Sequence, residues 1–209
     1  MDLQVWAIGA ESEILRAELS GRPLIIKQRS GKPYLLKQMD DCLRRNRTSR
    51  ECKMLTYARR LGVPTPAVHS VDLSRCQIVM DFIPGEQLKQ IPGTKSEAEL
   101  RKLCEEFGRL IAVLHRGNVV HGDPTTSNVI VDDASKLWMV DFGLAEWNAT
   151  VEMKGVDLHL IRRAIETTHW DFQETMLDST LDGYVRAAGG EAEEVLLRMD
   201  EIRERGRYH

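Results

Sequence analysis

Residues 121–143, HGDPTTSNVIVDDASKLWMVDFG, constrain this chain more than any other stretch. They set His121, Asp123 and Asn128 in one short loop and place Asp141 thirteen positions after Asn128, at the head of Asp-Phe-Gly. The apolar runs NVIV and KLWMVDF lie between, so a hairpin returns Asp141 to the loop. Phosphoryl transfer from ATP asks for this set, because it needs positioning and charge neutralisation more than covalent chemistry. Asp123 suits the carboxylate that orients the attacking hydroxyl or water, and Asn128 and Asp141 suit the amide and carboxylate that hold metal ions. Either motif alone is weak, but the two in order, each joined to a strand-like run, favour a phosphotransferase over chance loop sequence.

Such a site also needs a lysine on a strand and a glutamate on the following helix. Ile25-Ile26-Lys27 lies inside the third strand-like run, and Glu51 lies inside a helix-like stretch. Lys37, after Leu35-Leu36, is the rival lysine, and the plain alternative for Glu51 is a surface charge paired with Arg47 or Lys53. For the phosphate-covering turn only GAES is present, so Gly9, Ala10 and Glu11 are the candidates and the three-glycine rule is not met. Met80, Asp81 and Ile83, at the end of a later strand-like run, are the candidate hinge against which a base would rest. The position before Asp123 is Gly122 where kinases usually carry arginine, which removes the cation that pairs with a phosphorylated activation loop. No Ala-Pro-Glu follows Asp141, and only about ten residues separate Gly143 from the next helical pattern, too few for a peptide-docking platform.

The expected fold is α+β, a minimal two-lobed arrangement. LQVWAIGA, SEILRAEL and RPLIIKQR read as a three-strand meander, residues 40–60 as a helix, and AVHSVDL and CQIVMDFI as two further strands. Residues 1–81 form the expected small lobe, with an antiparallel sheet and one helix, and residues 82–209 a reduced helical lobe with a basic tail. In the latter, Ser96 to Glu99 is a capping box, and Leu100, Leu103, Cys104, Phe107, Leu110, Ile111 and Leu114 repeat on one helical face. Further helices are expected over 156–168, 172–185 and 191–205.

Cys42, Cys52, Cys76 and Cys104 lack metal or redox spacing and read as reduced thiols. Apart from His121, the six histidines read as structural or surface residues. No stretch approaches the length of a membrane span and no secretory leader is expected, so a cytosolic or nuclear location is. The net charge of -3 hides an asymmetry, because residues 22–60 carry twelve basic against three acidic residues, a surplus of nine that leaves -12 elsewhere. A basic face of this kind fits either a solvated helix surface or a nucleic acid or acidic partner.

The motifs IGAESEI, IIKQR, RTSRECKML, HGDPTTSNVIV, VDFGLA, VDLHLIRRAIETTH and RERGRYH resemble the small atypical kinase/ATPase subunit of the KEOPS (EKC) complex, the piD-type or p53-related kinase family, over essentially the whole chain. The resemblance implies ATP with Mg2+, or Mn2+ in its place, and service to threonylcarbamoyladenosine modification of tRNA. By position it implies Lys27 and Glu51 as the ATP-aligning pair, Asp123 as the acid/base residue, and Asn128 and Asp141 as metal ligands. It further implies that the large lobe meets the metalloprotein threonylcarbamoyl transferase subunit and the small lobe a small regulatory subunit, that serine/threonine autophosphorylation is within reach, and that the role in the complex is closer to ATP hydrolysis. Pro124, Met153 and Gly155 depart from the family pattern, and the tail ends at Tyr208-His209 without further basic residues. Competing readings are a serine/threonine kinase of a few partner proteins, a small-molecule phosphotransferase, and a scaffold with a vestigial nucleotide site.

Overall fold

The computed structural model describes residues 4–9 and 12–206. Strands β1 (Gln4–Ile8), β2 (Ser12–Leu19) and β3 (Arg22–Arg29) form the meander, helix α1 (Lys37–Arg60) follows, and β4 (Val68–Asp72) and β5 (Gln77–Asp81) complete a five-stranded antiparallel sheet ordered β1-β2-β3-β5-β4. Ser20 and Gly21 make the β2–β3 turn, both at positive φ, 52° and 76°. Alternation along β3 turns Leu24 and Ile26 to the core, as a period-two strand requires.

After Asp81 the chain crosses to β6 (Glu86–Gln87) and then α2 (Glu97–Arg116). The Ser96 hydroxyl accepts from the Glu99 N–H and the Glu99 carboxylate accepts from the Ser96 N–H, so the capping box forms. Strands β7 (Val119–Val120), β8 (Val129–Val131) and β9 (Leu137–Met139) bracket the 121–128 loop, and β10 (Glu146–Trp147) returns antiparallel to β7. Helices α3 (Val151–Thr168), α4 (Gln173–Ala188) and α5 (Ala192–Arg205) complete the chain. α2 and α4 meet backbone to backbone at Gly108, where a Cβ would lie 1.8 Å from the Thr180 carbonyl oxygen.

One apolar core runs through both halves. Met54 and Leu55 of α1 and Ile78 of β5 belong to the same buried cluster as Phe107, Val129, Met139 and Phe142. α1 therefore connects sheet and helices, and the Tyr57 hydroxyl donates to the Gly117 carbonyl at 3.3 Å. The arrangement is kinase-like and α+β.

All four cysteines are free. No helix among the described residues is long and apolar enough to cross a membrane. α1 begins at Lys37 and α3 at Val151, both earlier than the sequence pattern indicates. Leu36 gives α1 no side-chain cap, so its start carries no local signal. The cap of α3 is Thr150, whose hydroxyl accepts from the Met153 N–H, and Gly155 interrupts the apolar repeat after it.

Candidate nucleotide and metal site

A cleft of about 440 Å³ opens between the sheet and the helical half, within the range of small-molecule sites. Its walls include Ile14 and Ile25 of the sheet, Lys27 and Glu51, Met80 to Ile83 of the crossing segment, and Asn128 and Asp141 below. Ala10 and Glu11 lie outside the described residues. Gly9 is described, and its N–H donates to the Ser12 carbonyl at 2.8 Å, linking the end of β1 to the start of β2.

Lys27 is 5% exposed and Glu51 is fully buried. The Lys27 ammonium donates to Glu51 Oε1 and to Asp141 Oδ1, each at 2.7 Å. Glu51 is therefore no surface partner of Arg47 or Lys53, and Lys37 starts α1 exposed to solvent. Asp141 has φ 60° and keeps 48% of its side chain open to solvent. Burial opposes its charge, but the Lys27 ammonium and the Gly143 N–H hold its carboxyl below the usual carboxylate range. The group is ionised at neutral pH and available to a cation.

Asp123 and Asn128 face each other. The Asn128 amide donates to the Asp123 carbonyl at 2.9 Å and to its carboxylate at 3.0 Å. Donation by Nδ2 fixes the amide orientation and leaves Oδ1 as the acceptor. Asn128 and Asp141 thus offer two hard oxygen donors, and no group of three His, Cys, Asp or Glu side chains forms a metal cage among the described residues. That donor set fits Mg2+, which keeps waters and phosphate oxygens around one or two protein oxygens.

The loop is fastened from beneath. Asp157 of α3 is 1% exposed, and its carboxylate accepts from the His121 N–H at 2.7 Å and the Gly122 N–H at 2.9 Å. His115 approaches the same carboxylate at 3.3 Å and meets the Tyr184 hydroxyl at 2.9 Å. The His121 ring lies between Val140 and Asp123: its Nε2 is 3.1 Å from the Val140 carbonyl, and its Nδ1 accepts from the Asp123 N–H at 3.3 Å. Nε2 must then carry the proton, and burial pushes the imidazole below its usual range, so the ring is neutral. Gly122 has φ 82°, and a Cβ there would lie 2.3 Å from the Leu144 carbonyl oxygen. No side chain, arginine included, fits that position in this backbone.

At the crossing segment, Met80 and Ile83 are buried. The Asp81 side chain turns toward β4, accepting from the Ala67 N–H at 3.1 Å and pairing with His69 at 2.7 Å, so only its backbone is left for a bound base. Trp6 packs edge-on to Phe82, with ring centroids 5.6 Å apart, and the Arg16 guanidinium lies over both rings.

Sequence reasoning missed two contributors. Asp157 sits among the buried positions of α3 with Leu158, Ile161 and Ile165; an acidic residue in phase with an apolar helix face is a signal that it serves buried donors. Arg29 follows Lys27 by two on β3, hence on the same face, and its guanidinium lies 2.6 Å from Glu51 Oε2.

A family model described as "RIO domain" matches residues 31–179. The chain is 41% identical over 207 residues to the "KEOPS complex subunit Bud32" of Pyrococcus abyssi, covering 96% of this chain and 94% of that protein. It is 38% identical to the "Probable serine/threonine-protein kinase BUD32 homolog" of Archaeoglobus fulgidus, covering 96% and 94%. Against the "Probable bifunctional tRNA threonylcarbamoyladenosine biosynthesis protein" of Methanosphaera stadtmanae the identity is 33%, and the chain spans only 36% of that longer protein. The Rio2 kinase of Chaetomium thermophilum superposes with a TM-score of 0.62 at 18% identity, covering 97% of this chain and 72% of that one, a likeness of fold. The chain belongs to the RIO-domain family and, within it, to the small Bud32-type atypical kinases.

Proposed function

We propose that this chain binds and turns over ATP with Mg2+ as a subunit of a KEOPS complex, and thereby supports threonylcarbamoyladenosine modification of tRNA. The observation that carries the reading is that Lys27, Asn128 and Asp141 line one cleft, with Asp123 held against Asn128. In this reading Asp123 orients the acceptor oxygen and takes its proton, and Lys27, aligned by Glu51, pairs with the phosphates. Asn128 and Asp141 hold the metal ion, which when bound neutralises charge on the transferring phosphate. Gly9, with Ala10 and Glu11, covers the phosphates, while Met80, the Asp81 backbone and Ile83 receive the base. The fold divides functionally into residues 1–81 and 82–209.

Water is the proposed acceptor. Between Gly143 and the start of α3 at Val151 the chain forms only β10 and its flanking turns, which leaves little surface for docking a peptide. The relatives' names support the complex and the tRNA pathway. In the proposed complex the helical half meets the metalloprotein transferase and the sheet half a small regulatory subunit.

The deciding experiment follows the labelled γ-phosphate of ATP with this chain alone, then with the metalloprotein partner and tRNA. Partner-stimulated free phosphate is expected, and Asp123→Ala should lower it about a hundredfold or more. Label retained stoichiometrically on protein would instead make the chain a protein kinase, and unchanged complex activity in the Asp123 variant would leave it a scaffold.

A further inference from the structure

Arg29 is buried at 5% exposure beside the nucleotide cleft, and nothing in the phosphoryl-transfer chemistry assigned above uses it. Its Nη2 lies 2.6 Å from Glu51 Oε2, an ion pair by distance without the alignment of a hydrogen bond, while its Nε and Nη1 have no hydrogen-bond partner among the described residues. Gly143 lies against the same guanidinium: a Cβ there would be 2.7 Å from Nη2 and 3.2 Å from Asp141 Oδ1. Desolvating an arginine this fully is costly, and among the described residues the carboxylate it pairs with is Glu51.

The charges explain what it does. Lys27 alone would serve two carboxylates, Glu51 through Oε1 and Asp141 through Oδ1. With Arg29 on Oε2, two cations meet two anions and the buried cluster is neutral. When Lys27 also serves phosphate oxygens, its single charge is shared between the nucleotide and two carboxylates, which leaves the buried Glu51 short of countercharge. Arg29 relieves that shortage with a second cation, fixed in the sheet, on the other carboxylate oxygen.

We propose that Arg29 is a positioning residue that holds Glu51 in place from the sheet side, so that Lys27 serves the nucleotide while aligned by Glu51 and Asp141 is left to the metal ion, and that it braces the Asp141–Gly143 turn. A cation fixed in the sheet thereby supplies order that a phosphorylated loop paired with an arginine at position 122 would supply elsewhere, at a position where the Gly122 backbone admits no side chain. The inference rests on the ATP reading above.

The test is a Mg2+ titration of nucleotide binding by calorimetry and of ATP turnover in the KEOPS assembly, for wild type, Arg29→Met, Arg29→Lys, Glu51→Gln and the Arg29→Met/Glu51→Gln pair, each checked for native circular dichroism. Arg29→Met is expected to raise the Mg2+ concentration for half-saturation roughly tenfold, in line with losses when groups behind a metal ligand are removed. Arg29→Lys should recover part of that loss. In the Glu51→Gln background, where no charge remains to be held, the Arg29 substitution should cost less than about twofold more. An equal fold-loss in both backgrounds, or a Mg2+ dependence unmoved by Arg29→Met, overturns the inference. If Arg29→Met fails to fold, Arg29→Lys against wild type and Glu51→Gln decides: an unmoved Mg2+ dependence overturns the inference and a partial rise supports it. Wild type that binds no nucleotide with Mg2+ overturns the ATP reading itself, and the inference with it.

Discussion

The two walls of the cleft are built differently. Below, the 121–128 loop is held by a buried carboxylate, two backbone donors and a neutral histidine, with the carboxylate and the histidine shut off from water. Above, every residue of β1 is exposed, and Trp6, at 53%, rests on Phe82 and Arg16 rather than in the core. Chemistry that depends on placement within fractions of an ångström belongs on the first wall, and a cover that must admit and release a nucleotide belongs on the second.

Substitutions can break this contrast. Asp157→Ala should do most damage, because it orphans the His121 and Gly122 N–H groups and leaves His115 without its acceptor; a loss of about 3–5 kcal/mol is expected, read as a large fall in the denaturation midpoint together with lost turnover. Gly122→Ala comes next. It forces a side chain into left-handed backbone and against the Leu144 carbonyl, so a cost of at least about 2 kcal/mol is expected, and a midpoint within a degree of wild type would show that the loop is looser than its geometry.

Acid should loosen the lower wall specifically. Burial holds His121 neutral, and His159 and His169 are pushed the same way, first of all by burial. The unfolded chain therefore takes up protons below about pH 6.5 that the folded chain refuses, so stability falls as pH drops from there, by up to about 1.4 kcal/mol per pH unit for each such histidine. Chemical denaturation between pH 7 and 5 should give that slope, shallower in His121→Gln. Asp141 does not add to it in this range, since its lowered pKa costs stability only under more acid conditions. The smallest effect is expected on the upper wall: Trp6→Ala should change stability by less than about 1 kcal/mol while weakening nucleotide binding several-fold, which calorimetry would resolve.

Much of this architecture can be read directly from residue order. β2 and β3 fall on the apolar runs SEILRAEL and RPLIIKQR because alternation and the Ser20-Gly21 turn mark both ends. Lys27, Glu51, Asp123, Asn128 and Asp141 announce themselves through local motifs; all but Asp123 line one cleft, and Asp123 is hydrogen-bonded to Asn128. Arg29 and Asp157 do not, since their meaning lies in partners far along the chain: Asp157 acts on a loop about thirty-five residues earlier, and Arg29 acts through a helix. The two-residue strands β6, β7 and β10 carry no period and follow only from tertiary pairing.

The chain that leaves the sheet at Asp81 is caught again almost at once. Glu86 and Gln87 pair with β8, and the Gln87 amide donates to the Ser127 carbonyl at 2.8 Å, one residue before Asn128. Residues 82–85, with Pro84 among them, are the stretch between β5 and β6. If the chain binds nucleotide as proposed, a widening of the mouth would draw on these four residues, and their stiffness would bear on how long spent nucleotide stays.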